Sequence, residues 1–408
     1  MWPRLVANKI LRKTLGSNNS VADFPSCNTN ETFQEYFPAS KNDIQEYLSP
    51  IMTLPFKHYK DTHGYKVFVS TWNVGGFAPT KDIDMKDRLD TYGTDCDIYV
   101  LGFQEIVPLR ASNVLGSENN KTLSKWNSLI REVLNKKLHQ DFKYIISKQM
   151  VGIMISVWVR SHLRPFIRDP SVSCVGCGIM GCLGNKGSVS VRFQLHETSF
   201  CFVCSHLASG GREGDEKHRN TDVVDIFRRT KFPRGSLLNL PRKILDHDRV
   251  ILLGDLNYRI SLPEPTTRLL VEGEEWNVLL ENDQLSMELN DGNLFQGWRE
   301  GSIRFPPTYK YCPNSDLYFG CIQAGKRGEK KRAPAWCDRI IWYGNGIKQH
   351  LYTRGESKLS DHRPVKAIFT ADVSIIRDLK AYQSLFLSDR LDRSQATSNY
   401  HQMIIASY

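Results

Sequence analysis

At residues 249–259 the chain reads Arg-Val-Ile-Leu-Leu-Gly-Asp-Leu-Asn-Tyr-Arg. The apolar run 249–253 is typical of a buried β-strand, because branched and aliphatic side chains fit the pleated surface of a sheet. Asp255 and Asn257 follow it directly. A carboxylate and an amide placed where a strand ends indicate a functional loop that a sheet supports.

Working outward, similar Val-, Ile-, Phe- and Thr-rich runs predict further strands, several of which also end in polar motifs. Between residues 122 and 138 the apolar residues recur at helical spacing, which predicts an amphipathic helix that covers a sheet. Strands outnumber helices, so the pattern predicts an α/β or α+β domain with helix-covered sheets. The other predicted strands are 66–72, 98–103, 144–146, 151–159, 188–194, 200–204, 339–343 and 365–369.

The ends of the chain differ from its centre. Residues 1–60 show no sustained period and are predicted to be a partly ordered extension, with the main domain at 61–375 and a C-terminal helix and tail at 376–408. Two polar, glycine-containing stretches, 210–220 and 313–331, are predicted loops. A short helix is predicted at 222–229, after the first of them.

The 408-residue chain carries 54 Lys and Arg against 44 Asp and Glu, a net charge of +10. This charge favours anionic partners such as nucleic acid, a lipid surface or phosphorylated metabolites. No segment approaches the roughly 18 consecutive apolar residues of a membrane span, and residues 1–20 lack the apolar centre of a signal peptide. We therefore expect a cytoplasmic protein.

Ten cysteines are too few for a disulfide scaffold in a chain of this length. Cys174, Cys177, Cys201 and Cys204, with Cys182 nearby, have spacings that resemble zinc ligands. Residues 200–204 nevertheless have the pattern of a buried strand, in which Cys201 and Cys204 point to opposite faces. Buried free cysteines are the favoured interpretation, and zinc is the alternative.

Six polar clusters lie at or near the ends of predicted strands. Each alone has an ordinary explanation, such as Asn73 in a turn or Glu105 paired with Arg110. Together they supply oxygen ligands, an acid beside an amide, and two histidines next to acids or hydroxyls, which are the parts of phosphate-ester hydrolysis. The clusters are Asn73, Gln104-Glu105, Ser205-His206, Gly254-Asp255-Leu256-Asn257, Cys337-Asp338-Arg339 and Ser360-Asp361-His362.

Each part has a chemical use in such a reaction. Glu105 and Asn73 can supply oxygen ligands to Mg²⁺, which neutralises phosphate charge. Asp255 is suited to orienting and deprotonating water, and Asn257 to donating to the phosphate. The two histidines can hold the oxygens that gain charge in the transition state.

Seven motifs in this order resemble the inositol polyphosphate 5-phosphatases, over roughly residues 65–370, and their shared order argues against chance agreement. The stretch 240–260 is most similar to the plant type I branch. The motifs are Trp72-Asn73-Val74-Gly75-Gly76, Phe103-Gln104-Glu105, Gly184-Asn185-Lys186-Gly187, Ser205-His206-Leu207, Gly254-Asp255-Leu256-Asn257-Tyr258-Arg259, Pro334-Ala335-Trp336-Cys337-Asp338-Arg339 and Ser360-Asp361-His362-Arg363-Pro364-Val365.

The resemblance implies an α+β fold of two packed β-sheets flanked by helices, the four-layer sandwich of DNase I-like proteins, with 61–375 as the catalytic domain. It implies a Mg²⁺ served by Asn73 and Glu105, with Asp255 and Asn257 handling the attacking water and the phosphate. The remaining roles that it implies are His206 at the scissile phosphate, Asp338 orienting His362, and Asp361 near the metal or its water shell.

The same resemblance addresses the substrate. Residues 305–311 and 330–336 match family segments that bind the neighbouring 4-phosphate, which suits the cationic and phenolic side chains present there. Lys186 is a candidate headgroup contact. The loop 174–183, with Ile179 and Met180, is either an apolar lipid contact or an ordinary packed turn. The implied 4-phosphate ligands are Tyr309, Lys310, Lys330 and Arg332.

The expected function is Mg²⁺-dependent removal of the 5-phosphate from phosphoinositides such as PtdIns(4,5)P2 and PtdIns(3,4,5)P3, from soluble Ins(1,4,5)P3, or from both, in phosphatidylinositol dephosphorylation and signalling. A metal-dependent nuclease and a non-catalytic phosphoinositide-binding module are the alternatives. No basic stripe with interleaved aromatic residues marks a nucleic-acid groove, so nucleic acid is not expected as a partner. A peripheral membrane contact is compatible with the cytoplasmic location.

Overall fold

The computed structural model describes residues 20–21, 60–79, 85, 89, 93–116, 120–137, 141–235, 240–320 and 332–376. Contacts between Cα atoms divide the chain into two units, and the described residues from Gly64 to Val373 belong to the first. The predicted N-terminal extension and C-terminal tail lie almost wholly outside the described residues, and the domain boundaries stay predictions.

The described residues form thirteen strands. Most are rich in β-branched and aromatic residues, as the strand predictions require. In chain order they are β1 (Ser20–Val21), β2 (Lys60–Asn73), β3 (Ile98–Gln104), β4 (Phe142–Met150), β5 (Ile153–Arg160), β6 (Ile167–Gly176), β7 (Gly187–Leu195), β8 (Thr198–His206), β9 (Arg249–Asp255), β10 (Trp298–Glu300), β11 (Asp338–Tyr343), β12 (Ile347–Arg354) and β13 (Val365–Ile376).

The strands form two sheets. The first has the order β1-β4-β5-β3-β2-β13-β12, and the second has the order β10-β11-β9-β8-β7-β6. Near the centre of the first sheet β2 and β3 are parallel neighbours, as β8 and β9 are in the second. Since parallel strands end at the same edge of a sheet, each sheet brings two carboxyl ends together.

Helices pack on the sheets. Trp126 and Ile130 of one helix share a core with Phe103 of the first sheet, and Val223 and Ile226 of another share a core with the second. No described helix is long and apolar enough to cross a membrane. The helices are α1 (Ala111–Leu115), α2 (Asn120–Arg131), which continues as a π-helix (Glu132–Lys137), α3 (Asp215–Arg229), α4 (Glu264–Glu272), α5 (Trp276–Glu281) and α6 (Gln284–Asp291).

The two sheets pack face to face. A Cβ atom at Gly102 of β3 would lie 2.7 Å from Leu253 Cδ1 of β9 and 2.9 Å from Cys204 Sγ of β8. Cys204 Sγ also donates to the carbonyl of Met154, in β5, at 3.4 Å. The predicted α+β architecture of two packed sheets flanked by helices is therefore confirmed.

The strand predictions are confirmed in place, although β2 begins at Lys60 and not at residue 66, and β13 ends at Ile376 and not at residue 369. The helix predicted at 122–138 corresponds to α2 and its π-helical continuation. Four strands, β1, β6, β10 and β12, were not predicted. Pro170 lies inside β6, and β6 and β12 both contain irregularities in their pairing register. Both are edge strands, where polar residues and proline are tolerated and the alternating pattern weakens.

The loop prediction at 210–220 was wrong in its second half. Helix α3 begins at Asp215, seven residues before the predicted helix, and directly after Gly214, whose φ is +86°. Its buried positions are Arg219, Asp222, Val223 and Ile226, so the helical spacing is present. Two of these residues are charged, which hides the period from an analysis of apolar residues.

Helices α1, α4, α5 and α6 were not predicted. They have five, nine, six and eight residues, and none buries more than two side chains. Helices this short do not repeat an apolar position often enough to establish a period.

The cysteines Cys201 and Cys204 lie on opposite faces of β8, as predicted. Cys201 belongs to the core beneath α3, whereas Cys204 faces the first sheet. Burial raises the pKa of the Cys201 thiol well above its usual range. The two thiols therefore cannot ligate the same zinc ion.

The close approach at Gly102 gives a stability prediction. Gly102→Ala should lower the free energy of unfolding by about 1–3 kcal/mol, because the added methyl group overpacks the interface between the sheets. Urea denaturation measures the change. Gly273→Ala is the matched control, since Gly273 has a φ of −82° and its Cβ would meet no atom closer than 3.5 Å. Equal stability of the two variants would contradict the packing argument.

Candidate active site

Functional side chains meet where the strands of the two sheets end. In the first sheet Asn73 pairs in register with Gln104, the residue before Glu105. In the second sheet Asp255 pairs with His206 on one side and with Asp338 on the other. The register of four strand ends thus determines the position of the candidate site.

The carboxylate of Asp255 lies at the centre of the site and is 1% exposed. Its Oδ2 atom accepts a hydrogen bond from Asn73 Nδ2 at 3.0 Å and lies 3.3 Å from His206 Nε2. His362 Nε2 is 3.9 Å from the same oxygen. Burial would raise the pKa of Asp255, but His362, His206 and Lys186 outweigh burial and hold it well below its usual range. Asp255 is therefore ionised at neutral pH.

His362 is held by Asp338. The distance from His362 Nδ1 to Asp338 Oδ2 is 2.9 Å, and Thr308 Oγ1 donates to the same carboxylate oxygen at 2.7 Å. Burial disfavours the imidazolium, but the carboxylates of Asp338 and Asp255 outweigh burial and raise the pKa of His362 to about 9. His362 is thus a cation at neutral pH, with Nε2 directed towards Asp255.

His206 has the opposite protonation. Burial, and then the positive charge of Lys186, lower its pKa, although Asp255 opposes them. Lys186 Nζ contacts His206 Nε2 directly. Burial also lowers the pKa of Lys186 to about 8. One histidine is neutral and the other is charged, a separation typical of acid–base sites.

Asn257 is held in a left-handed conformation, with a φ of 58°. Its backbone N–H donates to Asp255 Oδ1 at 3.1 Å, and its Nδ2 donates to the carbonyl of Leu207 at 3.1 Å. Arg259 Nη2 donates to Asn257 Oδ1 at 2.6 Å. The second Nδ2 hydrogen remains available for an oxygen of the substrate.

Glu105 and Asn73 supply hard oxygen donors of the kind that Mg²⁺ and Ca²⁺ take. Asn73 Nδ2 lies 3.4 Å from Glu105 Oε1, while Asn73 Oδ1, the atom that would ligate a cation, accepts the N–H of Gly75 at 3.0 Å. The Glu105 side chain is 28% exposed. Ligand atoms of Asp255, Asp338 and His362 also lie within 4.8 Å of one another. Since His362 is protonated between the two carboxylates, ion pairing explains that second cluster. The chemistry of the donors fits a hard cation at Glu105 and Asn73.

The predicted phosphate ligands border this centre. The Tyr309 ring lies 4.6 Å from the His362 ring and 4.5 Å from the Arg259 guanidinium. Lys310 Nζ donates to Asp361 Oδ2 at 2.9 Å, so these two predicted site residues form an ion pair. Arg332 is half-buried beside Gly211. Lys330 lies outside the described residues.

Proteins of known family that resemble this chain support the same kind of site. Residues 70–368 match the family described as Endonuclease/Exonuclease/phosphatase family 2. Type IV inositol polyphosphate 5-phosphatase 9 of Arabidopsis thaliana is 65% identical over 96% of both chains. Type I inositol polyphosphate 5-phosphatase 8 of the same organism is 45% identical over 92% of this chain and 86% of the relative. The chain belongs to the inositol polyphosphate 5-phosphatase family.

A solved structure supports the same assignment. The inositol polyphosphate 5-phosphatase domain of SPsynaptojanin, in complex with inositol (1,4)-bisphosphate and calcium, is 30% identical with a TM-score of 0.69, over 88% of this chain and 99% of that one. A Cimex nitrophorin, 19% identical with a TM-score of 0.56 over 75% of this chain and 98% of its own, shares the fold alone. The DNase I-like sandwich is confirmed.

Membership of the 5-phosphatase family confirms the resemblance drawn from the seven motifs and the prediction of an enzyme. The relatives carry both type I and type IV names, and the most identical of those given above is type IV. The finer type I branch therefore stays a prediction. The individual roles of the site residues also stay predictions, although the structure brings the central ones together.

Sequence reasoning missed two supporting residues of this 5-phosphatase site. Thr308 donates to Asp338, and Arg259 donates to Asn257. Arg259 lies inside the motif 254–259, but only the structure shows that its side chain donates to Asn257, two positions earlier. Thr308 lies 30 residues from Asp338 in sequence, and a lone buried threonine has no signal of its own.

The Asp338–His362 pair gives a prediction about pH. The kcat/KM of the wild type should fall as pH rises through about 9, where His362 loses its proton. Asp338→Asn removes the carboxylate that most strongly raises this pKa, so the alkaline fall should move to lower pH. Asp291→Asn is the control, because Asp291 is an exposed carboxylate at the end of α6. An alkaline limb that stays in place in Asp338→Asn would contradict the coupling.

Proposed function

We propose that the chain hydrolyses the 5-phosphate of phosphorylated inositols with the help of Mg²⁺. The observation that carries the proposal is the buried carboxylate of Asp255, whose Oδ2 accepts a hydrogen bond from Asn73 at 3.0 Å and lies 3.3 Å from His206 and 3.9 Å from His362. A buried anion with cationic and hydrogen-bonding neighbours is suited to orient water against a phosphate whose charge those neighbours share.

In this proposal Asp255 orients the attacking water and takes its proton as the new phosphorus–oxygen bond forms. The bond from phosphorus to the ring C5 oxygen breaks, the departing oxygen takes a proton from solvent water, and the products are a ring hydroxyl and inorganic phosphate. His362 Nε2 donates to a phosphate oxygen while Asp338 holds Nδ1. Asn257 donates through Nδ2, and Arg259 keeps its amide from rotating.

Mg²⁺ would be held by Glu105 and Asn73. Bound there, the cation neutralises phosphate charge and stabilises the departing oxygen. Asp361 would lie near the metal or its water shell, and its carboxylate is ion-paired with Lys310. The calcium in the SPsynaptojanin complex supports a hard cation in this family, and magnesium is our choice for this chain.

The proposed substrates are PtdIns(4,5)P2 and PtdIns(3,4,5)P3 or their soluble counterparts, such as Ins(1,4,5)P3. The names of the relatives and the inositol (1,4)-bisphosphate in the SPsynaptojanin complex support this class, since that ligand is what Ins(1,4,5)P3 becomes on losing its 5-phosphate. Tyr309, Lys310 and Arg332 are the proposed 4-phosphate ligands, together with Lys330. Lys186 is the proposed contact to the rest of the headgroup.

A peripheral membrane contact is part of the proposal. Ile179 and Met180 are 59% and 64% exposed in a loop close to Lys186. The loop is tied to the motif that contains Lys186, since Cys177 N–H donates to the Lys186 carbonyl at 2.8 Å. Two adjacent exposed apolar side chains beside a headgroup contact suit a lipid surface. We place the enzyme in the cytoplasm, acting on membranes in phosphoinositide signalling.

Removal of the metal gives one prediction. A chelator should abolish phosphate release by the wild type, and Glu105→Gln should raise the Mg²⁺ concentration for half-maximal activity by about tenfold or more, with partial rescue at high Mg²⁺. Glu281→Gln is the control, because Glu281 is exposed at the end of α5. An unchanged Mg²⁺ requirement in Glu105→Gln would remove Glu105 from the metal site.

The function itself is tested with Ins(1,4,5)P3 and PtdIns(4,5)P2, measured by phosphate release, beside a DNA nicking assay. Asp255→Asn should lower turnover by about 10²–10⁴-fold while substrate binding persists, because an amide cannot accept the water proton. DNA cleavage without turnover of inositol phosphates would favour the nuclease alternative. Binding of the headgroup without turnover would favour the non-catalytic module.

A further inference from the structure

A cavity of about 680 Å³ lies beside the active site. One wall is the loop that leads into α3 and contains Gly211 and Arg212, and another is the segment from Arg332 to Ala335. Arg259 lines the cavity and also donates to Asn257, and Ala335 pairs through its backbone with Tyr309. A ligand whose scissile phosphate lies at Asp255 can therefore extend into the cavity.

The cavity has an excess of positive charge. Arg212, Arg259 and Arg332 line it, together with the carboxylates of Asp215 and Glu264. Both acids already have partners: Asp215 Oδ2 accepts the backbone N–H of Arg212 at 2.9 Å, and Glu264 is ion-paired with Arg268. Among the described residues, the guanidinium groups of Arg212 and Arg332 have no hydrogen bond or ion pair.

The two walls come close together at a glycine. A Cβ atom at Gly211 would lie 3.7 Å from Arg332 Nη1, so the loop passes directly over this guanidinium. Arg212 is the next residue along that loop. Since both guanidinium groups line the same cavity, an anion bound there would offset the positive charge that they bring to it. Phosphate is well suited, since guanidinium groups match its geometry with paired hydrogen bonds.

We propose that this cavity binds a second uncleaved phosphate of the substrate, the phosphate on ring carbon 3, with Arg212 as the residue that reads it. The inference rests on the proposed function. With the 5-phosphate at Asp255 and the 4-phosphate at Tyr309 and Arg332, the next ring position away from Asp255 is carbon 3. The same group occurs on the lipid PtdIns(3,4,5)P3 and on free Ins(1,3,4,5)P4, and the cavity chemistry suits both.

The experiment compares two pairs of substrates that differ only at carbon 3: Ins(1,3,4,5)P4 with Ins(1,4,5)P3, and PtdIns(3,4,5)P3 with PtdIns(4,5)P2 in the same vesicles. The quantity is the ratio of kcat/KM within each pair. Arg212→Gln should lower that ratio by about tenfold, the effect of one charge-assisted contact, and Arg212→Lys should lose less. Values of kcat/KM for the substrates without the 3-phosphate should change by no more than about twofold.

Arg228→Gln is the matched control, since it removes one positive charge from the same region of the chain at a side chain that is 72% exposed. Its ratio should equal that of the wild type. An unchanged ratio in Arg212→Gln overturns the proposal. If kcat/KM falls equally on both members of a pair, Arg212 supplies general attraction only, and if it falls on neither, Arg212 does not contact the ligand. A fall in one pair alone supports the cavity and identifies whether the lipid or the free ligand enters it.

A binding measurement separates this inference from the proposed function. Calorimetry with Ins(1,3,4)P3 and Ins(1,4)P2, which have no 5-phosphate, needs no turnover. The wild type should bind the first more tightly, and Arg212→Gln should lose most of that preference. Absence of turnover on all four substrates would contradict the proposed function, whereas absence of any preference in wild-type binding would overturn the cavity proposal alone.

Discussion

Asp255 is a buried carboxylate whose charge needs compensating partners, and this requirement constrains the strands and loops around it. An isolated carboxylate in a protein interior is costly and tends to take up a proton instead. Asp255 remains ionised because Asn73 of the first sheet donates to it, while His206 and His362 approach from two other segments. Any shift in the register between strands would remove a partner and leave the charge uncompensated. The charge of Asp255 therefore stays compensated only while the two sheets keep their packing and their strands keep their register.

The fold satisfies this constraint by using the same arrangement, a pair of parallel strands, in both sheets. Each sheet contains a parallel pair, β2 with β3 and β8 with β9, and each pair delivers two polar residues to the same edge. Gly102 lets the sheets approach closely enough for these edges to meet. Helix α3 then supports the loop after β8, since Asp222 accepts the N–H of Ala208 and Arg219 Nη1 donates to the carbonyl of Gly210. The loops of the site thus depend on buried polar contacts as much as on apolar packing.

The sequence was sufficient to predict those parts whose signal is local. Strands such as β9 can be predicted from their composition, and the polar residues at their ends indicate the site. The fold class and the central residues were therefore predicted. The missing parts depend on contacts distant in sequence. The opposite protonation of His206 and His362 follows from which of them meets Asp338 and which meets Lys186. The start of α3 was missed because two of its buried positions hold the charged residues Arg219 and Asp222. A helical period is recognised in sequence from apolar residues at the buried positions.

In the proposed function, catalysis and substrate selection would use different kinds of structure. Asp255, His206 and Asp338 lie at strand ends, where the hydrogen-bonded ladder limits their movement. Arg212 and Arg332 lie on connecting segments, where a change in length or sequence costs the core little. A site on the strands can keep the geometry of phosphate hydrolysis, while the arginine-lined cavity beside it can change which other phosphates it favours. Arg259 belongs to both, because it lines the cavity and holds Asn257. An anion bound in the cavity would therefore affect the position of Asn257 through the guanidinium group of Arg259.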